Sequence, residues 1–382
     1  MQTTISRNDR SLIGQWWWTV DRWILGAIGL LMVGGSLLSL AASPAVAERI
    51  NADSYFFVKK HLLMLPLAIA IMLAVSMVSI KTIRRIAVVI LLFAIIGMVL
   101  TLLLGVDRNG AHRWLSLGGL SIQPSEFLKP ALIVVASWMF AEQNRSPGVP
   151  GNIIAISLWA ISIGILVLQP DYGQAALLTV AVGAVFFIAG MPWLLVGGLA
   201  GISAVGGMIA YVVSPHVTSR IDRFLDPSSG DTFQIDTAIN AFIHGGLFGR
   251  GPGEGVVKRI LPDAHTDYIF AVVGEEFGLI ACLLLVALFG FIVLRGLARA
   301  FTAEDHFVQL ASAGLLFLFG LQAVINMGVN LNLLPSKGMT LPFISYGGSS
   351  LLALGLTMGM LLALLRRQAG VAIGGAMVGR PA

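Results

Sequence analysis

Ionisable side chains are scarce in this chain: of 382 residues only 19 are Asp or Glu and 24 are Lys or Arg, so the places where they gather stand out. One is Leu261-Pro262-Asp263-Ala264-His265-Thr266-Asp267-Tyr268, which runs straight into a long apolar stretch. Asp267 falls at the boundary, where partial desolvation would raise its pKa towards the range of a general base. Glu275 and Glu276 follow about two turns deeper, and adjacent acids in an apolar helix are costly unless they are buried in a bundle. His265 and Asp267 flank Thr266, but no further His or Cys set completes a metal cage. No serine nucleophile elbow is present either.

A second gathering is Arg108-Asn109-Gly110-Ala111-His112-Arg113-Trp114, followed by Gln123-Pro124-Ser125-Glu126-Phe127-Leu128-Lys129. Pro124 and Ser125 read as a helix start, with Glu126 in the first turn, where the helix dipole favours an acid. Glu126 and Lys129 are three apart and share a helix face. They read either as an interfacial cap with an ion pair or as part of a polar site, since Lys129 heads an apolar run and needs a partner or water. Asp171 after Pro170 reads either as an N-cap or as a third polar element at the mouth of a helix. The glycines of Gly245-Gly246-Leu247-Phe248-Gly249-Arg250-Gly251-Pro252-Gly253-Glu254-Gly255 could present backbone N–H groups to a phosphate, or form a floppy loop. They are no dinucleotide fingerprint, because no βαβ unit surrounds them. Leu334-Pro335-Ser336-Lys337-Gly338 and Leu341-Pro342-Phe343-Ile344-Ser345-Tyr346-Gly347-Gly348 break any helix and read as a re-entrant turn that supplies Lys337.

The elements that must hold these residues are membrane spans. The chain is 57% hydrophobic and 11% charged, less than half the charge of a typical soluble domain. The fold class expected is an all-α integral membrane protein of about ten transmembrane helices, at 23–43, 62–80, 86–105, 127–141, 153–168, 174–190, 193–213, 268–294, 308–330 and 346–365. A large extracytoplasmic loop, about 214–267, separates spans seven and eight. A cytoplasmic segment 1–22, a membrane domain 23–367 and a cytoplasmic tail 368–382 complete the organisation. The first apolar run is too long for a cleaved signal peptide and reads as a retained helix. Trp16-Trp17-Trp18 fits an inner aromatic belt. The Lys and Arg divide evenly between the two sides, but five on the outer side lie in the long loop, where the positive-inside rule is weakest. Setting these aside favours N-in, C-in, and most acids and nearly all unusual links then face outward. The single cysteine, Cys282, permits no intrachain disulfide. The net charge of +5 flanks helices rather than forming a nucleic-acid stripe.

The segments NGAHRWLSLGGLSIQPSEFLKP, QPDYG, RIDRFLDP, GGLFGRGPGEG, LPDAHTDYIFAVVGEEFG and LPSKGMTLPFISYGGSS, in this order over about residues 20–367, resemble the signature segments of the SEDS family of shape, elongation, division and sporulation proteins. GRGPGEG and Ser336-Lys337-Gly338 favour its division branch over its elongation branch. The resemblance implies a peptidoglycan glycosyltransferase that polymerises lipid II on a nascent lipid-linked glycan, in the inner membrane at the division septum. It also implies a class B penicillin-binding protein, bound through spans eight and nine, and other division proteins as partners. It makes Asp267 the catalytic carboxylate and places Glu126, Lys129, Asp171, Lys337, His265 and Ser345 at the substrate. Asp263 and Tyr268 stand where relatives often have Glu and Phe, a conservative departure, and Arg259 receives no role.

The chemistry so implied is an inverting attack by a sugar hydroxyl on an anomeric carbon bearing a lipid pyrophosphate. One base, Asp267, suffices, and Lys129 and Lys337, then Arg108, Arg113 and Lys258, are the cations available to the leaving group. A divalent cation, Mg or Mn, could share that task with Asp171 or Glu126 as ligands; no organic cofactor is expected. Two other readings remain open: a lipid II flippase, for which no nucleotide-binding motif supplies energy, and a non-catalytic division scaffold.

Overall fold

The computed structural model describes residues 11–49, 53–108, 111–117, 120–146, 148–226, 228, 230, 232–336 and 338–366. Among the described residues there are thirteen α-helices. They are α1 (Leu12–Thr19), α2 (Arg22–Arg49), α3 (Phe56–Ser76), α4 (Ile80–Leu104), α5 (Pro124–Arg145), α6 (Gly151–Leu168), α7 (Tyr172–Ile188), α8 (Trp193–Val213), α9 (Pro215–Leu225), α10 (Phe233–Gly245), α11 (Ile269–Ala300), α12 (His306–Asn330) and α13 (Gly348–Leu364). A helix occupies each of the ten windows read from hydropathy. Seven (α2, α3, α4, α6, α8, α11 and α12) are long and apolar enough to cross a membrane; α7 and α13 are apolar but shorter. Of the expected terminal segments, residues 1–10 and 367–382 lie outside the described residues.

The centre of the bundle is α5, α12 and α13, whose apolar side chains are buried nearly all round. Small residues allow the tightest packing. A Cβ on Gly355 would lie 2.5 Å from the Ala68 carbonyl oxygen and one on Gly359 2.8 Å from that of Met72, so α13 lies directly against the α3 backbone. The opposite case is α8, which buries no residue and packs on α7 and α9.

Two links differ from their reading as loops. Between α4 and α5 the described residues form a three-stranded antiparallel sheet, β1 (Val106–Arg108), β2 (Ala111–Leu117) and β3 (Leu120–Ile122). The expected long loop contains α9, α10 and a 3-10 turn at Val257–Arg259, and its Gly-rich part is packed, not floppy. The non-helical segment before α13 is buried at Met339, Leu341, Phe343, Ile344 and Ser345, as a re-entrant turn would be.

Candidate functional site

Pro124 at N1 and Glu126 in the first turn start α5, and the three-residue spacing sets Lys129 beside Glu126. Lys129 Nζ donates to Glu126 Oε1 at 3.0 Å and to Gln322 Oε1 of α12 at 3.3 Å, while Gln174 Nε2 of α7 donates to Glu126 Oε1 at 3.0 Å. Lys129 and Glu126 are only 3% and 5% exposed, so the pair is embedded in the bundle.

Asp171 caps α7 by accepting the Gln174 N–H at 3.4 Å. It also accepts from Gln123 Nε2 at 3.5 Å, with Arg113 Nη1 at 3.8 Å. Arg113, on β2, donates to the carbonyls of Gln169 and Pro170, so the small sheet is pinned to the turn before α7. Burial pushes the Asp171 carboxyl above the usual carboxylate range, against the pull of Arg113. Asp171 thus caps α7 and at the same time faces Arg113 of the small sheet.

Asp267 lies in a turn anchored by Asp263, whose φ of 52° lets its carbonyl accept the N–H groups of Thr266 (3.0 Å), Asp267 (3.1 Å) and Tyr268 (3.2 Å). The Asp267 carbonyl accepts from Asn326 Nδ2 at 2.9 Å and Asn330 Nδ2 at 2.8 Å, and Asn330 Oδ1 accepts the Ala271 N–H at 3.1 Å. A Cβ on Gly338 would approach Asp267 Oδ2 to 3.1 Å, so glycine there leaves room for the carboxylate. Burial first, then Asp263, pushes the Asp267 pKa up to about 7, opposed by Arg220 of α9. Arg220 also interacts with Arg113, Arg223 and Asp171, so α9 brings a cation to both acids.

His265 and Ser345 shape this turn. The His265 ring lies 4.2 Å from Phe57 and 5.6 Å from Tyr346, and burial lowers its pKa to about 4, so the imidazole is neutral. Ser345 Oγ donates to the Thr266 carbonyl at 2.5 Å and accepts the Leu341 N–H at 2.7 Å. Both groups hold backbone and ring surfaces in place.

Of the residues expected at the site, Glu126, Lys129, Asp171 and Arg113 form one connected network. Gln322, Asn326 and Asn330 on α12 lead from it to Asp267, His265 and Ser345. Lys258 does not join them: its Nζ contacts Glu276 and donates to the Ala41 carbonyl at 2.9 Å, an ammonium already satisfied by burial partners. The glycine-rich segment offers no phosphate cradle either, since its Arg250 and Gly251 N–H groups donate to carbonyls of α11. Arg108 is in β1, with its side chain outside the described residues, and Lys337 lies outside them altogether.

Sequence reasoning missed Arg220, Gln174 and the α12 amides. Gln322, Asn326 and Asn330 recur every four residues in an otherwise apolar helix, a one-face polar stripe that could have been found. The two carboxylates considered for a metal do not form a cage. Glu126 is held by Lys129 and Gln174, Asp171 by Arg113, and among the described residues no group of three His, Cys, Asp or Glu could hold an ion.

A cavity of about 1270 Å³ opens at the opposite end of the bundle, lined by Arg84, Arg145, Arg295, Arg299, Asp305 and Arg366 among others. Its arginines are largely committed. Arg295 and Arg299 pair with Asp21 at 3.1 and 2.8 Å, Arg366 donates to the Met77 and Val78 carbonyls, and Arg84 lies over the Phe307 ring.

Residues 21–369 match the family model described as a cell cycle protein, FtsW, RodA and SpoVE. A Caulobacter vibrioides protein named probable peptidoglycan glycosyltransferase FtsW is 51% identical over 366 residues, covering 96% of this chain and 94% of that protein. The Legionella pneumophila protein of the same name is 33% identical, covering 87% of each. A chain of a peptidoglycan synthase complex, solved for its coordination of polymerization and crosslinking, superposes with a TM-score of 0.74 at 26% identity, covering 91% of this chain and 97% of that one. The Thermus thermophilus rod shape determining protein RodA gives 0.68 at 26% identity with the same coverage.

Proposed function

The chain belongs to the FtsW, RodA and SpoVE family of cell cycle proteins, and we propose that it is the FtsW-type peptidoglycan glycosyltransferase of its cell, polymerising lipid II at the division septum. The observation that carries the mechanism is Asp267: a partly buried carboxyl whose pKa of about 7 suits a general base, at the same end of the bundle as Lys129, Arg113 and Arg220. Asp267 takes the proton of the acceptor sugar 4-hydroxyl as its oxygen attacks the anomeric carbon of the lipid-linked glycan. The bond to the pyrophosphate breaks on the opposite face, which inverts the centre. Lys129, Arg113 and Lys337 stabilise the departing diphosphate charge, with Arg108 as a further candidate. A magnesium or manganese ion would enter with the diphosphate rather than wait in a protein cage.

In this reading all ten apolar helices cross the bilayer with both termini in the cytoplasm. The site end, with the sheet, α9 and α10, then faces outward, where lipid-linked substrates arrive. The neighbour solved as part of a peptidoglycan synthase complex supports a partner in that synthesis, which in this reading is a class B penicillin-binding protein. Its transmembrane helix packs on spans eight and nine, here α11 and α12, where α11 leaves Leu283, Leu284 and Leu294 exposed.

The test is polymerisation of purified lipid II in detergent, with and without the partner. Wild type makes glycan, and Asp267→Ala loses about 10²–10⁴-fold in rate, the usual worth of a general base, while remaining folded. Glycan synthesis by Asp267→Ala at the normal rate would sink the assignment, and transport without any glycan would favour a flippase.

A further inference from the structure

Glu275 and Glu276 sit within apolar α11 and are each 1% exposed, a position where an uncompensated charge is costly. Glu275 Oε1 accepts the N–H groups of Val256 and Val257, both at 2.7 Å, and Oε2 accepts that of Lys258 at 2.9 Å. Three consecutive amides around one carboxylate make an anion nest whose anion belongs to the chain itself.

The preceding glycine-rich segment docks on the same helix. Inside α11, Gly278 has a φ of 78° and breaks the helical ladder. The groups this frees are returned by the loop. Arg250 and Gly251 donate to the Glu275 and Glu276 carbonyls at 2.9 and 3.0 Å, and Leu279 and Ile280 donate to those of Gly246 and Leu247 at 2.9 and 3.3 Å. No side chain fits between the two: a Cβ on Gly249 would lie 2.2 Å from the Glu276 carbonyl oxygen. Lys258 adds its contact with Glu276 and its bond to Ala41 of α2.

We propose that Glu275 is a positioning residue for glycan polymerisation, its carboxylate latching Val256–Lys258 to α11 and so fixing the turn at Asp263 that presents Asp267. This rests on the assignment of Asp267 as base. The division of labour argues for positioning over bulk stability. Four backbone bonds and the Lys258–Glu276 pair hold the loop on α11 whether or not Glu275 is charged. Glu275 binds the amides of Val256, Val257 and Lys258, and the Val256 and Val257 carbonyls in turn accept the N–H groups of Arg259, Ile260 and Leu261, which lead into the Asp267 turn, held on its other side by Asn326 and Asn330.

The test compares full-length wild type and Glu275→Gln with the cognate partner in nanodiscs. Glutamine keeps the shape but turns an NH2 group towards a donor. Amide exchange at 256–258 and through 261–268 should quicken, and kcat should fall about 10–100-fold, the cost of displacing a catalytic group by a fraction of an ångström to one ångström. KM for lipid II should stay within about threefold, since the substrate cations are untouched. The acid limb of the pH–rate profile should move to lower pH as water reaches Asp267. Asp263 and Tyr268 of its own loop and Arg220 of α9 also act on that carboxylate, and the substitution leaves them in place. Gly255→Ala, whose Cβ would meet Glu275 Oε2 at 2.9 Å, should repeat the signature without changing charge and serves if Glu275→Gln does not fold. An unchanged kcat and pH limb in a variant with faster exchange overturns the latch. If Asp267→Ala is inactive in the same assay, that result leaves the base assignment standing, whereas an active Asp267→Ala removes the base and the latch together.

Discussion

Two buried lysine–glutamate pairs lie near the same end of the molecule and are built differently. Lys258–Glu276 is enclosed: the side chains are 6% and 0% exposed, and the other partners of Lys258 are backbone carbonyls of Ala41 and Gly253, while Glu276 Oε2 has no hydrogen-bond partner among the described residues. Lys129–Glu126 is nearly as buried, at 4% and 7%, but its other partners are the side-chain amides of Gln322 and Gln174. The Gln322 amide leads onward to the Thr340 carbonyl and the Gln174 backbone N–H to Asp171, and the buried Gln174 Oε1 and nearby Asn326 Oδ1 have no hydrogen-bond partner among the described residues. A pair anchored on backbone staples one element to another. A pair anchored on rotatable side-chain amides can exchange partners when a polar ligand arrives.

That contrast breaks most clearly in the lysines. Lys258→Met should be the more damaging to folding, because Glu276 would be left charged and unpaired in apolar surroundings, at a cost of about 3–5 kcal/mol. The yield of monodisperse protein and its thermal midpoint should both collapse. Lys129→Met leaves Glu126 its bond from Gln174, so more of the protein should fold. Its polymerisation should nonetheless fall about 100-fold or more, as expected for loss of a charge aimed at the developing diphosphate. Should the two variants lose stability and turnover in the same proportion, the distinction between staple and site is wrong.

The acids sharpen the comparison through pH. Asp267 has its pKa raised to about 7 chiefly by burial, and as a base it must be ionised. The rate should therefore climb with pH and level off above about 7. Stability should run the other way. A raised folded-state pKa contributes stability that is complete below the unfolded value of 3.8 and is lost as pH rises through about 7. Asp267→Asn should abolish activity while raising the thermal midpoint at pH 8 and changing it little at pH 4. A midpoint of this variant that tracks wild type across the whole range would show that the carboxylate is not desolvated.

How far the site could be read in advance depends on the range over which each interaction acts. The helices were legible because span hydropathy is summed over about 20 residues. The Glu126–Lys129 pair was legible because three-residue spacing on a helix fixes proximity without tertiary knowledge. The sheet was not read, although Leu117-Gly118-Gly119-Leu120 carries a hairpin signal. Lys258 was placed with the substrate cations because nothing local distinguishes it from Lys129; what does is the kink at Gly278, which brings Glu276 and residues 246–258 together. Arg220 was passed over because its relevance rests on the fold of α8 and α9 back over the site. The folded loop also spent its amides on α11 instead of on a ligand, a tertiary preference that glycine content alone does not encode.

The smallest effect expected lies at the opposite end of the bundle and tests whether turnover is confined to the site end. Asp21 is 2% exposed and accepts from Arg295 at 3.1 Å, from Arg299 at 2.8 Å, and from the N–H groups of Trp23 and Ile24 at 3.0 and 3.2 Å. Removing Arg299 leaves three of these partners in place. Arg299 is itself partly exposed, so the loss should be about 0.5–1 kcal/mol, the range of a solvent-screened pair. Arg299→Ala should thus lower the thermal midpoint slightly and leave polymerisation within about twofold of wild type. The assay has weight because this end holds a cavity of about 1270 Å³ lined by several arginines. If Arg299→Ala were as slow as Lys129→Met while equally folded, the two ends would be coupled in the reaction, and the arginine cluster would have to be counted part of the catalytic apparatus.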